Sequence, residues 1–341
     1  MTAIHRMVLV APLLALALTA CGPRPTDELV LYSARNEQLL KPILDRYAQE
    51  TGGQARFLTD KEAPLLERLA AEGASSPADV LITVDAGNLW QAAERGLLQP
   101  VDSPALNANI PAHLRDPQGR WFGLSVRART VVYAPARVTP EQLSTYEALA
   151  GPQWQGRLCL RTSKKVYNQS LVAMLIAAHG EAAAEAIVRG WVANLAVPPF
   201  ANDNEVMEAI AAGRCDAGLV NTYYYGRLLR EKPDLGLALF WPNQGAAAPD
   251  LQGVHVNVSG AGITRHAPHP AAARRFLEWL SAGEAQRLFA AVNLEYPANP
   301  SIAPDPAVAA WGTFAPALLN VARAGELQAD AVRLMDRAGY P

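Results

Sequence analysis

The sequence predicts an α/β protein of two lobes, each a mixed, mostly parallel sheet flanked by helices, with a hinge between them. Three observations predict it. Short apolar runs of strand length alternate with segments of helical period along most of the chain. The 341 residues exceed one typical domain of roughly 150 residues. Half of them are apolar, enough for a sizeable core and no sign of disorder.

The first residues read as an export signal. Arg6, beside His5, gives a positive start, and Met7 to Ala20 is an uncharged, mostly apolar run. That run is short of the roughly 20 apolar residues a membrane span needs. It ends in Leu18-Thr19-Ala20-Cys21, the pattern of a secretory leader with small residues at the cut. The Cys resembles a bacterial lipobox, so residues 1–20 are expected to be removed and Cys21 lipidated. The plainer alternative is an ordinary signal peptide with an incidental Cys. Residues 21–28, rich in Pro and polar groups, read as a tether.

Residues 29–126 are expected to form the first part of lobe one. Leu29-Val30-Leu31-Tyr32-Ser33 is an apolar strand, and Leu39, Leu40, Ile43, Leu44 and Tyr47 mark a helix. A weak strand at Gln54–Leu58 and a helix at Ala63–Ala71 follow. A buried strand at Ala78–Thr83 leads to a helix at Asn88–Glu94. Residues 127–255 are assigned to lobe two. Its strands are Arg129–Tyr133, Arg157–Arg161, Asp216–Val220 and Leu235–Phe240, and its helices Val166–His179, Ala182–Leu195 and Glu205–Ala212. Residues 256–341 are expected to return to lobe one and add C-terminal helices. A strand at Val254–Val258 runs into Ser259-Gly260-Ala261-Gly262. Helices follow at Pro270–Ser281, Gly283–Val292, Pro306–Trp311 and Leu318–Arg337, the last with a break at Gly325. The chain would cross between lobes near Val126 and Val256.

With the leader gone, 29 basic residues face 32 acidic ones, a net −3. No nucleic-acid footprint is present, since that needs a clustered basic face. Cys159 and Cys215 remain in an oxidising compartment and form a candidate disulfide pair, the alternative being two separate buried thiols. No Gly-x-Ser-x-Gly elbow, phosphate loop or metal-hydrolase helix motif occurs. His255, His266 and His269 read as structural or solvated.

The chemistry concentrates in tyrosines. Asn221-Thr222-Tyr223-Tyr224-Tyr225-Gly226 directly follows a strand, and Tyr167 lies where another strand turns into a helix. Carboxyl ends of strands in an open α/β sheet face the ligand crevice. Alone, a Tyr cluster is more often aromatic packing. Two such junctions in one lobe, each offering Tyr, favour a shared site. Free phenol has a pKa of about 10 and stays protonated at neutral pH, but a bound cation stabilises the phenolate. Three phenolates would cancel the charge of a hard trivalent cation. Clustered His or thiolate ligands, which would suit zinc or copper, are missing from the sequence pattern.

The chain resembles the periplasmic Fe(III)-binding receptors of bacterial ABC transporters, over nearly all of its mature length. The matching segments include Tyr32-Ser33-Ala34-Arg35-Asn36-Glu37, Pro77-Ala78-Asp79-Val80, Asp85-Ala86-Gly87-Asn88-Leu89-Trp90 and Gly123 to Arg129. Tyr167-Asn168-Gln169-Ser170, Asn221-Thr222-Tyr223-Tyr224, His255 to Gly262 and Leu294-Glu295-Tyr296-Pro297 continue the series. The paired tyrosines are the most specific of these. The resemblance implies the type II periplasmic-binding-protein fold, with Tyr223 and Tyr224 as iron ligands and Tyr167 as the third ligand of a tyrosine-rich subgroup. Tyr225 is left as packing. Relatives take a first-lobe ligand from the segment matching Asn36 and Glu37, where they carry His, or His then Tyr. Here neither occurs, and Val84 stands where some relatives have Glu. Glu37 is the remaining carboxylate candidate.

That deficit suggests a small anion such as carbonate, or water, completing the coordination. Arg35, Arg127 and Arg129 are candidates to hold the anion, because guanidinium matches planar oxyanions bidentately; ordinary salt bridges are the alternative for each. Asn221, with Asn202 and Asn204, would line the cleft or serve as turn and cap residues. The implied function is a monomeric, non-enzymatic periplasmic receptor. It would capture Fe(III), pass it to an inner-membrane ABC iron permease, and meet the membrane only through the lipid on Cys21. The rivals are a same-fold receptor for another small solute or oxyanion, an enzyme on this scaffold, and an envelope interaction protein.

Overall fold

A computed structural model describes residues 28–245 and 251–341. The expected leader, the Cys21 anchor and nearly all of the tether lie outside those residues. The first elements are β1 (Leu29–Ser33), α1 (Glu37–Thr51), β2 (Ala55–Thr59), α2 (Glu62–Glu72), β3 (Val80–Thr83) and α3 (Ala86–Glu94). β1 is buried along its whole length, as its apolar run requires, and lies parallel between β2 and β3. α1 turns Leu40, Ile43, Leu44 and Tyr47 inward, the spacing of one helix face.

After α4 (Pro104–Asn109) comes the longest strand, β4 (Phe122–Tyr133). The sequence suggests only its second half as a strand. Its alternate residues Ser125, Arg127 and Arg129 are polar and look unfit for a core, yet all 12 residues are buried. Each polar side chain has a buried carboxylate partner. Ser125 hydrogen-bonds Glu295, while Arg127 and Arg129 pair with Asp85 at 3.7 Å and Asp203 at 3.2 Å. Burying charge is tolerable on those terms.

The chain continues through β5 (Leu158–Cys159), α5 (Val166–His179), α6 (Glu181–Ala193), α7 (Asp203–Ala211), β6 (Ala217–Asn221), α8 (Thr222–Glu231) and β7 (Ala238–Phe240). It returns as β8 (Val256–Ile263), α9 (Pro270–Leu280), α10 (Gly283–Ala291), β9 (Tyr296–Pro297) and α11 (Pro306–Ala309). It closes with α12 (Arg323–Glu326) and α13 (Gln328–Arg337). The helix expected from Leu318 to Arg337 with a break at Gly325 is thus two, but they part at Leu327 and Gly325 lies inside α12. Residues 318–322 form a turn in which Asn320 accepts from the Ala322 amide.

The strand order is β2-β1-β3-β8-β4-β6-β5, with β7 and β9 paired to β4. Pairs within the β2-β1-β3 group and between β5 and β6 are parallel; every antiparallel pair involves β4 or β8. β4 pairs with β8 through Ala128 and with β6 from Arg129 onward. The hydrophobic core changes at the same place. One cluster takes residues up to Ala128 and from Val254, and a second takes Val131 to Leu251 plus Ala331, Leu334, Met335 and Tyr340. The final helix α13 therefore packs into the second core. β8 runs straight through Ser259-Gly260-Ala261-Gly262 because the glycines permit close approach. A Cβ on Gly260 would lie on the Phe122 carbonyl oxygen.

Candidate metal centre

β5 and β6 are neighbours in parallel register, Leu158 opposite Ala217 and Cys159 opposite Gly218. Each leads into a helix at its carboxyl end. Tyr167 is in the first turn of α5, and Tyr223 and Tyr224 are in the first turn of α8. The two junctions meet. The Tyr223 hydroxyl donates to the Tyr167 hydroxyl at 3.0 Å. The Tyr224 ring stacks at 4.4 Å from Tyr223 and lies 6.5 Å from Tyr167. Tyr225, one step further around the helix, leaves the cluster, donates to the Leu237 carbonyl at 3.1 Å and packs on Trp311. A disulfide joins Cys159 to Cys215, with Cα atoms 5.9 Å apart, beneath these junctions.

The tyrosines face a cleft of about 230 Å3. Its walls include Arg35, Asn36, Glu62 and Val84 from the β1–α3 part of the chain and Lys165, Tyr167, Tyr223 and Tyr224 from the β5–α8 part. Arg127, Arg227, Asn293 and Glu295 complete the lining. Cations surround the phenols. Arg127, Arg161 and Lys165 each lie 5.4 Å from the Tyr167 ring centre, and Arg227 lies 5.3 Å from that of Tyr223. Burial pushes the Tyr167 hydroxyl up to about 12, with Arg127 pulling it back down. Burial also lifts Tyr223 well above the ordinary phenol value, and the neighbouring Tyr167 adds to that. Empty of cation, Tyr167 and Tyr223 are neutral at pH 7.

The arginines divide. Arg35 donates to the Phe289 carbonyl at 2.9 Å and lies 3.6 Å from Glu295, which leaves its Nε and Nη1 without partners. Arg127 reaches the Val84 carbonyl and Asp85, and its Nη1 is unpartnered. Both guanidiniums are buried, and both line the cleft. Arg129, expected beside them, is held behind the wall by Asp203, Asn221 and the Leu219 carbonyl, so it is not a cleft residue. Asn221 is likewise occupied by Arg129 and lies outside the lining. Glu37 is exposed at the start of α1 and does not line the cleft either; Glu62, from α2, is the first-core carboxylate that does.

Several residues at or behind the cleft escape the sequence reading. Arg161 is outside the lining but lies by the Tyr167 and Tyr224 rings; it ends the β5 segment and is paired with Asp203 at 3.4 Å. Arg227 stands four residues after Tyr223, one helical turn along the same face. That spacing could have flagged it. Glu295 lies in a segment matched to relatives, yet nothing local marks it as a cleft carboxylate. Among the described residues no three His, Cys, Asp or Glu side chains cluster to hold a metal, so the tyrosines are the concentrated donor set.

The model of the family described as bacterial extracellular solute-binding protein matches residues 43–316. Iron uptake protein A2 of Synechocystis sp. is 44% identical over 316 residues, covering 91% of this chain and 89% of that protein. A Trichodesmium protein solved in complex with iron and citrate is 43% identical, with a TM-score of 0.88, covering 92% of this chain and 100% of that one. Ferric iron-binding protein A of Mannheimia haemolytica, solved in an open conformation, is 33% identical with a TM-score of 0.84, covering 92% of this chain and 98% of that one. With the family model spanning most of the sequence and relatives matched nearly end to end, the chain belongs to the bacterial extracellular solute-binding protein family.

Proposed function

We propose that this chain is a periplasmic receptor that captures ferric iron through Tyr167, Tyr223 and Tyr224 and delivers it to an ABC-type iron permease. The observation that carries this reading is the convergence of three half-buried or buried phenols on one cleft, two of them hydrogen-bonded at 3.0 Å. Burial strengthens the hold of Tyr167 and Tyr223 on their protons. A hard trivalent cation reverses the balance, because three phenolates match its charge where neutral solvent-poor surroundings disfavour any uncompensated ion. The relatives named for iron uptake, iron with citrate, and ferric iron point the same way.

Arg35 and Arg127 supply the second half of the site. Their unpartnered N–H groups are buried donors in the cleft wall, and a buried donor left unpaired costs about 1–3 kcal/mol. A carboxylate-bearing or carbonate-like anion bound beside the metal satisfies them. Glu62 is the first-core residue placed to add a carboxylate. The two cores, linked through β4 and β8, close over the metal as a hinge, with residues 29–128 and 254–322 on one side. The protein works by binding and release, tethered to the membrane through lipid on Cys21.

Ferric citrate added to the purified apo-protein tests the assignment. The wild type is expected to develop a visible tyrosinate-to-iron absorbance band, and Tyr223→Phe with Tyr224→Phe to lose it. A colourless wild type, or a band unchanged in the variant, removes the iron assignment. The free arginine donors would then favour a receptor for an oxyanion alone.

A further inference from the structure

Tyr340 lies outside the cleft and has no part in the ligand set. α13 ends at Arg337, and Gly339, at φ +68°, turns the chain back so that the Tyr340 amide bonds the Met335 carbonyl at 2.9 Å. Only glycine takes that conformation without strain. The turn drives the Tyr340 ring into the second core, where it is 4% exposed. Its hydroxyl donates to the Arg161 carbonyl at 2.7 Å and accepts from the Asn168 amide nitrogen at 3.0 Å. The same Asn168 nitrogen reaches the carbonyls of Arg161 at 2.8 Å and Thr162 at 3.1 Å. The Asn168 amide closes the two ends of the segment 161–168 on each other, and the Tyr340 phenol bridges the same two groups from behind. The Pro341 oxygen adds bonds from the Ser163 amide and the Thr162 hydroxyl.

That segment carries cleft chemistry at both ends. Arg161 places its guanidinium over the rings of Tyr167 and Tyr224, and Tyr167 is the neighbour of Asn168 in the chain. α13 itself is anchored on both sides, since Gln328 accepts from Gln91 of α3 at 2.9 Å and donates to Gln169 of α5 at 3.0 Å. We infer that Tyr340 is a positioning residue for the metal centre, its hydroxyl fixing Arg161 and Tyr167 relative to each other from the back of the site. The inference rests on the iron reading given above. Loss of a group hydrogen-bonded to a metal ligand commonly costs about 10–100-fold in metal affinity; Tyr340 acts one residue further out, so the lower end of that range is expected.

A core-filling role alone makes a different prediction. Tyr340→Phe keeps the ring and removes only the hydroxyl, so packing is preserved. In the full chain, Tyr340→Phe is expected to keep the wild-type circular dichroism spectrum. Its iron should pass to a competing chelator about tenfold faster, with a shifted tyrosinate band. In a Tyr167→Phe background the same change should add little, because the effect travels through Tyr167. Wild-type release kinetics, or an equal effect in both backgrounds, overturns the inference. A metal-free measurement keeps the two readings separable. Amide hydrogen exchange in the first turn of α5 should quicken in apo Tyr340→Phe, and unchanged exchange also overturns it. If the wild type shows no iron band, the iron reading falls and the exchange measurement alone decides whether the segment is held by Tyr340.

Discussion

Tyr167 and Tyr223 share one hydrogen bond and two protons. In the empty cleft both phenols are neutral, with Tyr167 raised to about 12 and Tyr223 raised well above the ordinary phenol value by burial. A metal bound through their oxygens must displace those protons, so binding is linked to pH with a definite sign. Acid competes with the metal for each phenolate, and affinity rises with pH below the phenol values. Each displaced proton adds up to about tenfold in affinity per pH unit. Titrations with a fixed chelator buffer at pH 6, 7 and 8 are expected to show this steep rise. Tyr223→Phe should flatten the dependence by one proton. A pH-independent affinity would mean that the phenols are not the displaced groups. Arg127 belongs to the same balance, since its charge already lowers Tyr167 before any metal arrives.

At the scale of elements, the strands β4 and β8 do two jobs. They complete the sheets, and they carry Ser125, Arg127, Arg129 and Asn257 into buried positions beside the cleft. Their close contact depends on Gly260, where a Cβ would meet the Phe122 carbonyl and the Leu89 side chain. Gly260→Ala should therefore force the strands apart and cost about 1–3 kcal/mol. A urea midpoint equal to that of the wild type would show that the strands adjust freely. These same strands are where the sequence was hardest to read. The regular elements were legible where apolar residues recur at the period of a helix or strand, as in α1; α5 was legible as a mostly apolar run of helical length, and its bounds match at both ends. The first half of β4 was not. Its polar residues are buried against carboxylates on other elements, up to 170 positions away, as Ser125 is against Glu295. The tyrosine junctions were legible because each lies where a strand gives way to a helix. Glu62 and Arg161 were not, because only the fold brings Glu62 to the cleft and Arg161 to the tyrosine rings.

At the scale of the whole molecule, one buried network ties the two cores together. Asn257 of β8 accepts from the Ala86 amide at 3.0 Å and donates to Asp85 at 2.8 Å and to the Ser170 hydroxyl at 2.7 Å. Ser170, on the helix that carries Tyr167, lies 2.9 Å from His255 Nε2. His255 is fully enclosed, with Arg129 and Arg127 nearby, and burial followed by those two charges lowers it from 6.5 to about 3. The sign follows from where the proton prefers to sit. The unfolded chain binds it below about pH 6.5 and the fold resists it until about pH 3, so the unfolded state holds more protons in that window. The stability that neutral His255 contributes is complete above pH 6.5 and is lost as pH falls towards 3, at up to about 1.4 kcal/mol per pH unit. Asp85 works in the opposite sense, since burial raises it, but it is common to wild type and variant. His255→Gln should therefore be less stable than the wild type at pH 7, and the gap should narrow as the pH drops to 4. Urea midpoints at pH 7, 5.5 and 4 read this directly. A constant gap would mean that protonated His255 is accommodated in the fold, and that the joint between the cores tolerates a charge its surroundings otherwise exclude.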